Sequence, residues 1–223
     1  MNIRYSVFLF IAALAGLASC KNNDEVIAKT VISNINVVNA SADTLNFFVN
    51  GTRNNNNSGL YPGSQSYYLK VPTGSQNYSF KKAGPSTPNQ LFSLNLNLKD
   101  STYNTIYVTG EASSGAFSTV DNLYTDTAFA QVRFVNASPD AGSLNVTVGK
   151  TVNFAASAFK SSSAFLKVTG GQNEVKIYLA GASTPKIDTI ITMTKGRGYT
   201  LFSKGLLTGK GTAAFNVGMA LNF

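Results

Sequence analysis

The feature that most constrains this chain is that it repeats itself. Ile35-Asn36-Val37-Val38-Asn39-Ala40-Ser41-Ala42-Asp43 returns 97 positions later as Val132-Arg133-Phe134-Val135-Asn136-Ala137-Ser138-Pro139-Asp140. The same offset relates Leu69-Lys70-Val71 to Leu166-Lys167-Val168, and Ala83-Gly84 with Ser86-Thr87-Pro88 to Ala180-Gly181 with Ser183-Thr184-Pro185. Gly115-Ala116-Phe117 pairs with Ala213-Ala214-Phe215 at an offset of 98. Blocks kept in one order at one spacing imply two homologous domains, residues 31–122 and 128–223. A period of about 95 residues is too long for a solenoid unit and suits a β-sandwich of immunoglobulin size.

Local patterns agree with that size. Leu94 to Leu98 and Glu174 to Leu179 alternate apolar and polar residues, as half-buried strands do. Further β-rich runs are Leu45 to Val49, Tyr67 to Val71, Thr105 to Val108, Leu144 to Val148 and Tyr199 to Phe202. Asn50-Gly51 signals a hairpin, and Pro72-Thr73-Gly74 and Thr169-Gly170-Gly171 are turns at matching places. The chain holds 24 Asn, 23 Ser and 21 Thr, a turn-forming excess that favours short strands over helices. The expected fold is all-β: two tandem immunoglobulin-like antiparallel β-sandwich domains of about seven strands each. The linker, Asp121 to Thr127, lacks Gly and Pro, so the domains should be close neighbours.

The second unit's Val132-Arg133-Phe134-Val135-Asn136-Ala137-Ser138-Pro139-Asp140, followed by Leu166-Lys167-Val168-Thr169-Gly170-Gly171, resembles a domain-of-unknown-function family, number 4397. The first unit departs from it at Ala42, where Pro139 stands in the second. The resemblance implies a β-sandwich in a secreted or surface bacterial protein, often in tandem copies, and brings no catalytic residues.

Residues 1–19 read as a signal peptide. Arg4 supplies the positive region and Val7 to Ala18 the apolar one, too short to span a bilayer. Leu17-Ala18-Ser19-Cys20 resembles a bacterial lipobox, which implies lipidation at Cys20, a tether over 20–30 and membrane attachment through acyl chains. Lys21-Asn22-Asn23-Asp24-Glu25 resembles the export signals of Bacteroidota surface lipoproteins; a plain solvated tether reads equally well. The expected location is the outer membrane, facing outward.

Chemistry is narrowed by what is missing. With no His, Ser-His-Asp and Cys-His arrangements are excluded, and one Cys excludes an internal disulfide. No motif places a nucleophile beside a base or converges two acids, so the chain is read as non-enzymatic, with no cofactor and no metal. The repeated corners (Asn39, Ser41 and Asp43; Asn136, Ser138 and Asp140) could offer oxygen ligands to Ca²⁺. One carboxylate per corner is poor for a site wanting 6–8 oxygens, and capping of a turn explains the same residues.

Charge is unevenly placed. Residues 21–126 are net neutral, whereas 127–223 carry ten basic and three acidic residues. Lys195, Arg197, Lys204 and Lys210 cluster late in the chain and are candidate contacts for an acidic polysaccharide. Nucleic acid is not expected, for no recognition fold is visible. Asp43, Asp100, Asp126 and Asp188 precede Thr44, Ser101, Thr127 and Thr189, a pattern resembling bacterial O-glycosylation acceptors, though Asp-Thr turns would look alike. The expected function is surface binding or adhesion, with anionic glycan or another surface protein as partner; a structural or assembly subunit of the envelope is the alternative, and a hydrolase of unknown type ranks last.

Overall fold

The structure, a computed structural model, describes residues 31–55, 58–84, 90–123 and 126–223. The proposed signal peptide, Cys20, the tether and Ser86-Thr87-Pro88 lie outside the described residues. Val31–Phe223 forms one compact unit.

Each repeat contributes eight strands. The first holds β1 Ile32–Asn39, β2 Leu45–Val49, β3 Thr52–Arg53, β4 Leu69–Pro72, β5 Gly74–Lys82, β6 Gln90–Leu98, β7 Tyr103–Val108 and β8 Ala116–Val120. The second holds β9 Ala130–Asn136, β10 Leu144–Val148, β11 Val152–Ser157, β12 Leu166–Val168, β13 Gly171–Leu179, β14 Ile187–Met193, β15 Gly198–Lys204 and β16 Asn216–Leu221. Four four-stranded sheets result, ordered β3-β2-β5-β6 and β4-β1-β7-β8, then β12-β9-β15-β16 and β11-β10-β13-β14. The topology of the second pair copies the first strand for strand, so the expected all-β tandem sandwich is what forms.

Two features differ from the expectation. Among the described residues each repeat forms eight strands instead of about seven, with β3 (two residues) and β11 (six residues) added as edge strands beside β2 and β10. Pairing is antiparallel except that β1 runs parallel to β7, and β9 to β15. Those partners are separated by a long excursion through the opposite sheet, which gives the chain room to re-enter in the same direction. Asn50 and Gly51 both take positive φ (49° and 83°) between β2 and β3, the two-residue hairpin turn their sequence signals.

Each repeat has its own core. Ile35, Val37, Leu45, Phe47, Tyr78, Phe80 and Ile106 pack between the first two sheets. Val132, Phe134, Leu144, Val146, Val175, Ile177 and Leu201 do so between the last two. A third apolar cluster joins the repeats: Val38, Ala40 and Tyr107 meet Val135, Ala137, Phe202 and Ala220. Those residues lie on the outer faces of β1 and β7 and of β9, β15 and β16. The middle sheets therefore pack on one another, and the body is a stack of four sheets with three apolar seams. This is why β9 is buried along its whole length. Its alternate residues serve two different cores.

Candidate functional site

The repeated Asn corner is a structural pin. At the end of β1, Asn39 Nδ2–H donates to the carbonyls of Asp43 (2.7 Å) and Leu60 (2.8 Å). Its oxygen accepts from the N–H and hydroxyl of Ser41 (3.0 and 2.7 Å). Asn136 repeats this with Gly142 and Ser157 (both 2.8 Å), while its oxygen accepts from Ser138 N–H (3.2 Å) and the Ser203 hydroxyl (2.8 Å). Asp140 accepts from Leu207 N–H (3.0 Å), and Asp43 pairs with Lys82 (3.2 Å). The oxygens that would have to face Ca²⁺ are thus spent on holding turns. Among the described residues, no three Asp, Glu, His or Cys side chains gather as a metal site.

The seam between repeats contains a buried polar cluster. Asp121 and Arg133 form an ion pair with side chains 0% and 3% exposed. A closed ring of hydrogen bonds surrounds them. Tyr68 donates its hydroxyl to Asp121 (2.6 Å) and accepts from Asn222 (3.1 Å). The Asn222 oxygen accepts from Thr200 (2.6 Å), and the Thr200 hydroxyl accepts from Arg133 Nε–H (2.8 Å). Thr105 adds a third donor to Asp121 (2.5 Å). Burial, and then the Asp121 carboxylate, push the Tyr68 phenol far above its ordinary range. Burial pushes the Tyr107 phenol up to about 12. Asp121, which the sequence places in a linker, is a member of this ring, and the strong charge at Arg133 is internal and neutralised.

The four basic candidates are not brought together. Lys195 and Arg197 are exposed on the β14–β15 turn, whereas Lys204 closes β15 and Lys210 follows it. The seven residues of β15 span about 20 Å between the two pairs. Lys204 is half-buried beside Gly63 of the first repeat, and burial lowers its pKa. Lys150, not singled out from sequence, lies on the β10–β11 turn at the same end of the second sandwich as Lys195 and Arg197. The turns at 149–151, 169–171 and 194–197 share one end of the second sandwich, since Val148 pairs with Val175 and Gly171 with Met193. The Lys195 stem crosses Gly170 so closely that a Cβ there would lie 2.6 Å from its Cγ. A cleft of about 480 Å³ opens beside Lys150, lined also by Thr151, Thr169, Gln172, Asn173 and Glu174. The matching end of the first repeat, with Asn50-Gly51, Thr73-Gly74 and Lys99-Asp100, is neutral. Comparing turn residues between the repeats would have exposed this contrast.

The candidate modification sites divide by exposure. Ser101 and Thr127 are exposed in connections. Thr44 is half-buried ahead of β2, and Thr189 is half-buried within β14, on the side shared with the core-packed Ile187 and Ile191. No helix among the described residues is long and apolar enough to cross a membrane.

The geometry defines a class: a tandem β-sandwich protein whose two copies are fused face to face through a buried polar ring. The family model for a domain of unknown function (DUF4397) matches residues 33–128 and again 130–216. The chain belongs to this family and carries two copies of its domain. No curated protein matches it.

Proposed function

We propose that the protein is a non-catalytic binding module of the cell envelope, a lipoprotein held through Cys20, whose second repeat contacts an anionic glycan. The carrying observation is that Lys150 on one turn and Lys195 with Arg197 on another stand at one end of that repeat, Lys150 lining a cleft, where the matching turns of the first repeat are neutral. Loops on a rigid scaffold suit recognition, and exposed cations attract polyanions in a way that salt screens. Lys204 and Lys210, at the other end of β15, are left out of this site.

The test is a glycan array with the Val31–Phe223 unit at several salt concentrations. Acidic glycans should be retained, less so as salt rises. Replacing Lys150, Lys195 and Arg197 by Ser should abolish retention, while replacing Lys204 and Lys210 should not. Ordered multimers without glycan retention would favour assembly instead. Separately, Cys20→Ala should move the full chain out of the membrane fraction; continued membrane retention would contradict the anchor.

A further inference from the structure

The repeats meet through the same face, so positions across the seam have twins, and one pair of twins that differ leaves a cleft on one side. Gln65, ahead of β4, reaches across to the edge strand β16. Its carboxamide pairs with the backbone of Leu221, oxygen 2.9 Å from the N–H and nitrogen 3.3 Å from the C=O, with the Asn36 carboxamide 3.0 Å from that nitrogen. Hydrogen-bonding surroundings assign this orientation of the amide. Leu221 is open to such a partner because of its register. Asn222 N–H donates to Gly198 C=O (2.8 Å), so Leu221, opposite Tyr199, points its own N–H and C=O away from β15.

The twin of Leu221 is Val120, opposite Asn104 on the edge strand β8. Asp121 N–H donates to Tyr103 C=O (2.8 Å), so Val120 likewise turns its N–H and C=O outward. The twin of Gln65, 97 residues on, is Ser162, which is too short to reach. A cleft of about 500 Å³ stands there, lined by Val120, Asn122, Arg133, Ser162, Ala164 and Phe165. Val120 is 62% exposed, and its carbonyl accepts one long hydrogen bond, from Arg133 Nη1 at 3.5 Å, which leaves its second lone pair for a ligand.

We propose that this cleft binds a primary carboxamide, the side chain of a Gln or Asn in a partner polypeptide. Val120 N–H donates to the ligand's carbonyl oxygen, and Val120 C=O accepts from its NH₂, as Leu221 does with Gln65. Among protein side chains at neutral pH, only the carboxamides of Asn and Gln present an acceptor and a donor side by side on one planar group. A trans secondary amide points them in opposite directions, and a carboxylate has no donor. The site is distinct from the basic end, and neither stands on the other.

The test is an NMR titration of the ¹⁵N-labelled Val31–Phe223 unit with acetyl-Gly-Gln-Gly-methylamide and its Glu and Ala counterparts. The Gln peptide should shift the Val120 amide in a concentration-dependent way with a Kd of about tens of millimolar or weaker, as two hydrogen bonds allow. The Glu and Ala peptides should bind at least about tenfold more weakly. Ser162→Gln should fill the cleft from within and abolish the shift, with the remaining spectrum confirming its fold. Gln65→Ser should open the twin, adding shifts at Leu221. Equal binding of the Ala peptide, or undiminished binding to Ser162→Gln, would overturn the proposal. Loss of glycan binding in the Lys150, Lys195 and Arg197 variant would leave these shifts in place.

Discussion

Tyr107 and Phe202 occupy the same position in the two repeats, and their rings pack against each other at 6.2 Å across the seam. Contact between equivalent residues is the mark of a two-fold interface, here built within one chain. The two rings are accommodated in complementary ways. Tyr107 stacks on Phe117 (5.1 Å), whereas the twin position beside Phe202 is Gly218. A Cβ on Gly218 would lie 2.2 Å from the Phe202 ring. Gly218→Ala should therefore destabilise the protein by about 1–3 kcal/mol through overpacking, read as a lower urea midpoint at unchanged m. An unchanged midpoint would show that the ring has room to move.

The Asp121–Arg133 pair should behave as a unit. Asp121→Ala leaves a guanidinium buried without its carboxylate and should cost about 3–5 kcal/mol. Asp121→Asn combined with Arg133→Asn reproduces the residue types at the twin positions, Asn222 and Asn36. The double variant should cost less than the sum of the single changes, with a coupling energy of about 1–3 kcal/mol in a denaturation cycle. Additive losses would mean that the pair is not coupled.

High pH should unfold the protein through its buried phenols. Tyr68 is held far above the ordinary value of 10.0, and burial pushes Tyr78 and Tyr107 up to about 12. These groups stay neutral in the folded state while the unfolded chain ionises near 10. The stability they protect is thus complete below pH 10 and falls as pH rises toward 12 and beyond. Tyrosinate absorbance should show three of the ten tyrosines titrating only together with loss of β-structure. Smooth titration of all ten before unfolding would contradict this.

An isolated second repeat, residues 128–223, exposes Val135, Ala137, Phe202 and Ala220 together with Arg133. It should associate through that face, and Asn222→Asp should tighten the dimer, because the new carboxylate meets Arg133 of the other copy. Sedimentation equilibrium checks both points. A fragment that stays monomeric, with or without the substitution, would contradict the two-fold reading.

Much of this fold was legible in the sequence because the repeat is written in core residues. Leu45–Val49 and Leu144–Val148 form the strands their β-rich composition signals. The seam was hidden for a physical reason. Asn36 and Arg133 are polar residues flanked by apolar ones and Asp121 opens the expected linker, and only a second sheet laid over the first makes all three internal. The offset also drifts: β7 and β15 are related by 95 residues, since Val37 faces Ile106 and Phe134 faces Leu201. Between β8 and β16 it is 101, so the match of Gly115-Ala116-Phe117 to Ala213-Ala214-Phe215 is not the register of the sheet. Lys195, Arg197, Lys204 and Lys210 are close in sequence, but an extended strand separates neighbours in sequence by many ångströms.

The fusion of both repeats into one body is tested most directly by hydrogen exchange of the Val31–Phe223 unit in rising urea. Strands β5 and β13 belong to different repeats and to the two outermost sheets. If the buried seam unites the repeats, their amides exchange through one global unfolding step, with the same free energy and the same urea dependence. Two separate steps, with β5 and β13 opening at different free energies, would contradict it.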